Sequence, residues 1–398
     1  MTIRLSLACP PATPRNCQGT VRERERREWR TGDPGDPLAM TVSFLTAAGL
    51  PAQDLTALPG GECPGGPPGS VCGAAILLSA AAGSAAIGGP AGPPSPAPGV
   101  PDVAVIVYEH ADPEPAAEGE PWLIGPWVPS WAPQEHAAAV SAVRTAISRG
   151  EVYQVNVVGH WAAACSGDPR PALTRIAGIP GAVYGGMLTG DGWALATASP
   201  ELLVSVAGGT VTSKPIKGTR PSTPEGRAEL LASVKERAEH IMIVDLVRND
   251  LALVAETGSV AVTELFALRR WVALWQAESV VTARLRAGTG LDGLLRAVAP
   301  GGSVTGAPKL AALAQIAALE TAGRGPAMGA AGYLSRYTLE LGLTIRTVAV
   351  TQGLAHIWAG GGITWGSDPE AEVLEAAAKA GPLMAAMTPA GATAAGAG

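Results

Sequence analysis

The pattern of apolar and polar residues changes about one third of the way along the chain. From residue 134 onwards, short runs with the two-residue period of strands alternate with segments that have the 3.6-residue period of helices. The first such helix is predicted over residues 134–149, where Val140, Val143 and Ile147 share one face and Gly150 supplies a stop. Runs of strands interrupted by packed helices predict an α+β fold rather than a regular βαβ alternation.

The remaining predicted elements follow from the same periodicities and from the Gly, Pro and Asp turns between them. Strands are predicted over residues 152–160, 182–188, 193–198, 202–206, 209–213, 260–266, 279–285, 329–333 and 341–350. Helices are predicted over residues 225–250, 291–297, 308–320 and 369–387.

The first third of the chain is built differently. Residues 1–40 are polar, irregular and end at a second methionine, which predicts a disordered tail or a start assigned too early. Residues 59–101 are dominated by Gly, Pro, Ala and Ser, a composition that buries little apolar surface, and residues 103–108 read as a strand. We therefore expect a reduced N-terminal region over 41–133, a main domain over 134–386 and a flexible tail over 387–398.

Composition and charge exclude several classes of protein. The 398 residues carry a formal net charge of -6 without a long Lys/Arg cluster, which argues against a nucleic-acid surface. The most apolar run, residues 71–89, is mostly Ala, Gly and Ser and predicts no membrane span. The N-terminus lacks the apolar core of an export signal, so a cytoplasmic protein is expected. Five cysteines lie far apart without a CxxC pair, which suggests neither a zinc site nor a disulfide framework.

Lysine is rare in this chain, with five lysines against 23 arginines. Arginine cannot be deprotonated to become a nucleophile, so a lysine kept in an arginine-rich sequence merits a specific role. Lys217 follows a predicted strand in a loop bounded by Gly and Pro, with Lys214 and Arg220 close by in sequence. An apolar, electropositive setting there lowers the pKa of Lys217 towards that of a neutral amine. The alternative is an ordinary solvated loop lysine.

Carboxylates and glycines mark two further candidate sites. Glu239 lies where the helix 225–250 becomes strongly apolar, which indicates either a buried ion-pair partner or a ligand for Mg²⁺. Glu375 and Lys379 have the i, i+4 spacing of a surface salt bridge. Residues 301–309 resemble a phosphate-binding loop only superficially, because Ala307 and Pro308 separate the second glycine from the lysine. Residues 360–362, three glycines after a strand, allow close approach of a ligand or simply form a tight turn.

Taken in order, these segments resemble the chorismate-utilising enzyme family, which includes the large subunits of anthranilate synthase and aminodeoxychorismate synthase and the isochorismate and salicylate synthases. The resemblance covers residues 134–386 and implies antiparallel sheets packed face to face and surrounded by helices. The matching strings are 150–156 (GEVYQVN), 198–201 (ASPE), 215–221 (PIKGTRP), 237–250 (RAEHIMIVDLVRND), 300–309 (PGGSVTGAPK), 332–334 (GYL), 345–347 (IRT), 360–363 (GGGI) and 367–370 (SDPE).

Two positions distinguish the branches of this family. Where isochorismate and salicylate synthases have a lysine that activates water, this chain has Gln154 and is similar to the members that use ammonia. Where anthranilate synthases usually have alanine, this chain has Lys217, as the aminodeoxychorismate synthases do. The resemblance implies that the Lys217 amine adds at C2 of chorismate as the C4 hydroxyl leaves, and that ammonia then enters at C4 and expels the lysine.

The same resemblance implies roles for other residues. Glu201 is the expected general acid for the departing hydroxyl, and Glu239 and Glu375 are the expected ligands of Mg²⁺, which holds the ring carboxylate. The expected substrate-binding residues are Arg346 and Tyr333 at the enolpyruvyl carboxylate, the amides of Gly361 and Gly362 beside them, Lys379 near the metal, and Thr219 and Lys309 at matching motif positions.

Departures from the family pattern leave alternatives open. Trp275 and Gln276 replace a common His-His pair, which argues mildly against anthranilate formation but also fits a weakened site. Ser222 and Leu374 replace a usual Arg and a usual Glu. No glutaminase segment is recognisable, so ammonia is expected from a separate glutamine amidotransferase subunit or from free ammonium. The alternatives are an anthranilate synthase large subunit and a non-catalytic paralogue that binds chorismate or the amidotransferase.

Overall fold

The computed structural model describes residues 17, 19–113, 119–271 and 274–389. The strands in these ranges are β1 (Val21–Trp29), β2 (Val71–Leu78), β3 (Val103–His110), β4 (Leu123–Ile124), β5 (Val128–Pro129), β6 (Gln154–Ser166), β7 (Gly186–Gly190), β8 (Trp193–Thr197), β9 (Leu202–Ala207), β10 (Thr210–Lys214), β11 (Ile216–Pro221), β12 (Ala261–Trp271), β13 (Leu274–Arg284), β14 (Gly306–Ala307), β15 (Ala330–Ser335), β16 (Leu339–Leu343), β17 (Thr347–Thr351) and β18 (Leu354–Ile363).

The helices of the same ranges lie mainly between groups of strands. They are α1 (Pro37–Ala47), α2 (Ala80–Ala86), α3 (Pro133–Ser148), α4 (Arg170–Ala177), α5 (Pro224–Ala232), α6 (Val234–Ala252), α7 (Leu291–Val298), α8 (Lys309–Leu319) and α9 (Pro369–Met387). Two short 3-10 turns cover Leu55–Ala57 and Gly302–Val304. In the described part of the chain, no helix is long and apolar enough to cross a membrane.

The strands form two antiparallel sheets in which the order of the strands differs from their order in the chain. The larger sheet has the order β1-β3-β2-β15-β16-β9-β10-β13-β11, and β12 pairs with β13 as well. The smaller sheet has the order β14-β6-β18-β17-β8-β7, with β4 and β5 pairing with β6. Strands that follow one another in the chain often lie in different sheets, so the polypeptide crosses between the two sheets several times.

One buried cluster joins side chains of both sheets, including Ile76 and Val204 from the larger and Leu195 and Trp358 from the smaller. A second cluster packs α4 and α9 on the smaller sheet, and a third places α3 and α8 against β6. The sheets therefore share a core and helices cover them from outside, which confirms the predicted α+β class and the face-to-face antiparallel arrangement.

The N-terminal third differs from the composition-based expectation. β1 lies within residues 1–40 and pairs along its length with β3, from Val21 opposite His110 to Trp29 opposite Val103. A charged segment can pair there because β1 is the edge strand of the sheet. Most of its side chains and its unpaired edge remain in solvent. β2 lies inside the Gly- and Ala-rich stretch and is almost wholly buried, since small side chains fit between the layers on both faces. Of the tail predicted over 387–398, the structure describes residues 387–389 alone.

The segment predicted as one helix over 225–250 forms two. Ser233 takes an extended conformation with φ -71° and ψ 105°, which ends α5. Its hydroxyl accepts a hydrogen bond from the Glu236 backbone N–H and so caps α6. The apolar period runs through this junction and favours one helix, whereas the Ser-x-x-Glu string at 233–236 was the available sign of a new helix start.

The segment predicted as one strand over 341–350 also forms two, and they belong to different sheets. β16 lies in the larger sheet and β17 in the smaller. Arg346 lies at the crossing with φ 51°, in the left-handed region that non-glycine residues seldom adopt. The hydrogen bonds that assign β16 and β17 to different sheets are made to segments distant in sequence. The apolar periodicity is local and therefore shows one continuous strand.

A buried ion pair ties α8 to the sheet and to the loop 301–307. Arg324 Nη2 donates to Glu320 Oε1 at 2.6 Å, and the two side chains are only 7% and 2% exposed. Arg324 also donates to the carbonyls of Val304 at 2.6 Å and Asn156 at 2.8 Å, while Glu320 accepts from the Val158 N–H at 3.0 Å. The ion pair itself is local, four residues apart, and its bonds to Val304, Asn156 and Val158 join segments that are distant in sequence.

Replacing Glu320 with glutamine is expected to lower the free energy of unfolding by about 3 to 5 kcal/mol, because it leaves the Arg324 charge buried without its counter-ion. Urea unfolding followed by circular dichroism measures this loss. Glu151→Gln, at an exposed carboxylate whose Arg149 partner lies 3.7 Å away, is the matched control and should change the midpoint little. Equal midpoints for the two variants would show that the buried pair is dispensable.

Candidate active site

The centre of the candidate site is a lysine and a glutamate at the junction of the sheets. Lys217 lies on β11 and is half-buried, and Glu201 precedes β9 and is 7% exposed. The Lys217 Nζ donates to the Ser303 carbonyl at 3.3 Å. The amine of Lys217, the Ser303 side chain and the Ile216 backbone N–H face the Glu201 carboxyl. The structure therefore brings together the two residues that the sequence predicts as nucleophile and acid.

Burial shifts the pKa values of this pair towards its uncharged forms. Desolvation raises the pKa of Glu201, against the opposing effects of the Lys217 charge and the hydrogen bonds at the carboxyl. Desolvation also lowers the pKa of Lys217, and the charge of Lys379 acts in the same direction while nearby carboxylates oppose it. A neutral amine beside a neutral carboxylic acid is the form in which one group can attack and the other can donate a proton.

Two crossings between the sheets place Arg346 beside Glu201. Residues 198–201 carry the chain from β8 to β9, and residues 344–346 carry it from β16 to β17. The crossings are bonded to each other: the Ala198 N–H donates to the Arg346 carbonyl at 3.0 Å, and the Leu343 N–H to the Glu201 carbonyl at 3.1 Å. Burial lowers the pKa of Arg346, with Glu201 opposing this shift. The guanidinium therefore supplies a fixed positive charge near the pair.

Three carboxylates gather around Gly361 on β18. A Cβ added at Gly361 would lie 2.8 Å from Glu372 Oε2 and 3.9 Å from Glu375 Oε1, both on α9. Glu239 reaches the same region from α6 and accepts a hydrogen bond from the Thr364 hydroxyl at 3.2 Å. Lys235 influences the pKa of all three carboxylates, which places them around one common region.

The protonation of these carboxylates reflects their separate surroundings. Burial raises the pKa of Glu239 and of Glu372, and the Glu375 charge raises that of Glu372 further. Burial also acts to raise the pKa of Glu375, but the ion pair with Lys379 at 2.7 Å outweighs it and the net shift is downward. Lys379 donates in addition to the Gly360 carbonyl at 2.8 Å. Of the three carboxylates, Glu372 is buried, Glu239 half-buried and Glu375 exposed, and neighbouring acidic oxygens of this kind are suited to bind a divalent cation.

A buried amide lies beside the glycine run. Gln154 is fully buried, and neither its Nε2 nor its Oε1 has a hydrogen-bond partner among the described residues. A Cβ added at Gly362 would lie 2.8 Å from its Nε2, so the absence of a side chain at Gly362 leaves room for the amide. Unsatisfied buried amide groups are costly unless a ligand completes their hydrogen bonds.

Three other predicted residues have protein partners of their own in the structure. Lys309 pairs with Asp250 at 2.8 Å, and burial raises the pKa of Asp250 to about 6 although Lys309 opposes the shift. Thr219 is exposed and pairs in register with the buried Gln276 of β13. Tyr333 packs against Gly73 on β2, and the centroids of the Tyr333 and Tyr108 rings are 6.5 Å apart. The contact roles of these three residues stay predictions.

Sequence reasoning missed four residues of the site. Glu372 lies one turn before Glu375, and the i, i+3 spacing of two acids on α9 was the available signal. Ser303 and Thr364 contribute through a carbonyl and a hydroxyl, for which no residue pattern gives a sign. The fourth, His240, follows Glu239, bonds to the Ser279 hydroxyl at 2.5 Å and has a pKa lowered to about 4 by burial and by the Lys217 charge.

The half-buried Lys217 and the buried Glu201 lie where the two antiparallel sheets meet, so the candidate site belongs to neither sheet alone. Residues 96–385 match the family model described as chorismate binding enzyme. The chain belongs to the chorismate binding enzyme family.

Individual relatives fall into two groups. The chain is 38% identical over 260 residues to aminodeoxychorismate synthase component 1 of Salmonella typhimurium, covering 64% of this chain and 57% of that protein. It is 37% identical over 251 residues to an anthranilate synthase component 1 of Haloarcula marismortui, covering 61% and 51%. The chain thus matches less than two thirds of the length of either relative. The crystal structure of anthranilate synthase component I from Streptococcus pneumoniae superposes with a TM-score of 0.75 at 25% identity, covering 96% of this chain and 94% of that one.

Proposed function

We propose that this protein aminates chorismate at C4 with ammonia and releases 4-amino-4-deoxychorismate. The observation that carries the proposal is the Lys217 amine beside the Glu201 carboxyl, since a half-buried lysine of lowered pKa can act as a nucleophile. Relatives named aminodeoxychorismate synthase component 1 support the same reaction. The product suits the synthesis of 4-aminobenzoate for folate or for a secondary metabolite.

The proposed reaction uses two allylic displacements. The Lys217 amine forms a bond to C2 of chorismate while the ring double bonds shift and the C4–O bond breaks. Glu201 gives its proton to the leaving hydroxyl, so that water departs. Ammonia then forms the C4–N bond, the double bonds shift back, and the C2–N bond to Lys217 breaks. Lys217 leaves as a free amine, and the proton lost by the added ammonia restores Glu201.

Substrate binding is assigned to charged and polar groups around Lys217 and Glu201. Arg346 and Tyr333 would hold the enolpyruvyl carboxylate, with the backbone amides of Gly361 and Gly362 close by. Lys379, Thr219 and Lys309 would contribute further contacts. Gln154 supports ammonia as the co-substrate, because an amide cannot act as a general base for water but can accept a hydrogen bond from ammonia.

The carboxylates around Gly361 fit Mg²⁺, which takes one or two protein carboxylates together with substrate oxygens. Glu239 and Glu375 would hold the ion, and Glu372 joins them because its oxygen lies nearest to the space beside Gly361. Bound there, Mg²⁺ would neutralise and orient the ring carboxylate of chorismate.

Glu372→Gln is expected to weaken Mg²⁺ binding by about 10 to 100-fold, because it removes one negative charge beside the ion. Calorimetric titration with Mg²⁺ measures the affinity without requiring turnover. Glu370→Gln, on the same helix but exposed, should leave the affinity unchanged. The assignment fails if the two variants bind Mg²⁺ equally well.

Ammonia would come from a glutamine amidotransferase subunit, as the name component 1 of the relatives suggests, or from free ammonium. Two alternatives remain for the test. Anthranilate synthase is favoured by the relatives of that name but disfavoured by Lys217 and Gln276. A non-catalytic paralogue is favoured by the departures at Trp275 and Gln276.

The deciding experiment incubates the purified chain with chorismate, Mg²⁺ and ammonium at mildly alkaline pH, and treats half of the sample with aminodeoxychorismate lyase. We expect 4-aminobenzoate in the lyase-treated half alone. Anthranilate in the untreated half would instead establish the anthranilate synthase reaction. Unchanged chorismate, also after addition of a glutamine amidotransferase and glutamine, would indicate the non-catalytic paralogue.

A further inference from the structure

A cluster of sulfur and nitrogen ligands lies at the N-terminal edge of the larger sheet. Cys17, Cys63, Cys72 and His110 each offer one ligand atom, and these atoms all lie within 4.8 Å of one another. Cys17 precedes β1, Cys63 lies in the loop before β2, Cys72 is on β2, and His110 ends β3. All three cysteines are free thiols. The cysteines lie far apart in sequence, and for that reason no zinc site was expected from their spacing. The fold nevertheless brings three of them together with His110.

The distances suit a tetrahedral ion. The Cys17 Sγ lies 3.8 Å from His110 Nδ1, and the Cys63 Sγ lies 3.8 Å from His110 Nε2. A tetrahedral zinc ion with Zn–S bonds of about 2.3 Å and Zn–N bonds of about 2.0 Å separates a sulfur ligand from a nitrogen ligand by about 3.6 Å. One ring nitrogen of His110 and three sulfurs would therefore need small side-chain rotations to surround one ion.

The backbone around the cluster is shaped to admit the imidazole ring. A Cβ added at Gly19 would lie 3.2 Å from His110 Nδ1, and one added at Gly66 would lie 2.8 Å from His110 Cδ2. The absence of a side chain at these two glycines, which belong to different segments of the chain, thus leaves room for the His110 ring. A parallel bridge between Cys17 and Cys63 brings their backbones together, and the Ser70 carbonyl accepts from the His110 N–H at 2.9 Å.

We propose that Cys17, Cys63, Cys72 and His110 bind one Zn²⁺ as a structural site. Three thiolates and one imidazole fill the four positions of a tetrahedral zinc ion and leave none for substrate, which is the arrangement of structural rather than catalytic zinc. The ion replaces the thiol protons and joins the N-terminal segment to β2 and β3. This site shares no ligand with the proposed amination site or with the carboxylate cluster.

The test measures zinc in the full chain after purification under reducing conditions without a chelator. We expect one Zn²⁺ per chain by elemental analysis and native mass spectrometry. Exchange for Co²⁺ should give thiolate-to-cobalt charge-transfer absorption and the intense visible bands of tetrahedral cobalt. A chelator selective for zinc over magnesium should lower the thermal unfolding midpoint.

Variants assign the ligands. Cys17→Ser, at the half-buried cysteine of the cluster, is expected to weaken zinc binding by at least about tenfold while the far-ultraviolet spectrum stays unchanged. Cys165→Ser is the matched control, because Cys165 is a half-buried cysteine on β6, in the other sheet, and should bind zinc like the unaltered protein. Absence of zinc and of cobalt spectra with all thiols still titratable would overturn the proposal. Loss of two thiols without bound metal would overturn it in favour of a disulfide.

Discussion

Lys217→Ala is expected to reduce amination at C4 by at least roughly 10³-fold, because removal of a nucleophile that acts covalently abolishes the stepwise route. Lys217→Arg should be equally impaired, since a guanidinium retains the charge but cannot be deprotonated to attack C2. Coupling the product to aminodeoxychorismate lyase and following 4-aminobenzoate measures the rate. Intact-protein mass spectrometry of the unaltered chain with chorismate, in the absence of ammonia, should show the adduct on Lys217.

Lys214→Ala is the matched control for this prediction. Lys214 is half-buried, lies three residues earlier and is carried by β10, so the variant loses the same side chain from the preceding strand of the chain. We expect it to retain most of the activity. A Lys217→Ala protein that aminates chorismate at the unaltered rate would exclude the covalent mechanism and leave direct displacement by ammonia.

Glu201→Gln is expected to lower the turnover rate by about 10² to 10⁴-fold, the usual contribution of a general acid. The glutamine keeps the size of the side chain and cannot protonate the leaving hydroxyl. Because a carboxylate that opposes the lowered pKa of Lys217 is removed, the amine should remain deprotonated and the substrate should still bind. The loss should therefore appear in kcat rather than in KM.

The pH profile gives a separate readout of the two groups. Lys217 must be deprotonated to attack, so the rate falls as pH drops through its lowered pKa. Glu201 must be protonated to donate, so the rate falls as pH rises through its raised pKa. We expect a bell-shaped profile whose alkaline limb disappears in Glu201→Gln. Glu372→Gln is the control, because it should change the Mg²⁺ dependence and keep the alkaline limb.

Much of the main domain follows from local pattern. The predicted helix over 134–149 corresponds to α3, the strand over 193–198 to β8 and the helix over 369–387 to α9. These elements were predictable because their apolar spacing and their end signals act over a few residues. The continuous elements predicted over 225–250 and 341–350 each divide in two, because Ser233 takes an extended conformation that caps α6 and Arg346 takes a left-handed one at the crossing between the sheets.

The candidate site shows the same division between local and distant information. Lys217 was recognisable from the scarcity of lysine and from its Gly- and Pro-bounded string, and Glu201 from the ASPE string. Glu372 was not, because its place beside Gly361 depends on how α9 packs on β18. The sequence by itself determined the fold class and the family and predicted Lys217 as the nucleophile, since these depend on residue types and short motifs.

Tertiary structure alone decided which groups share a site. The pKa shifts of Lys217 and Glu201 arise from desolvation where two chain crossings meet, and no residue pattern specifies that burial. Likewise, Cys17, Cys63, Cys72 and His110 come together because β1 and β2 both pair with β3. Short-range spacing encodes the elements, whereas desolvation and ligand geometry depend on contacts between residues far apart in the chain.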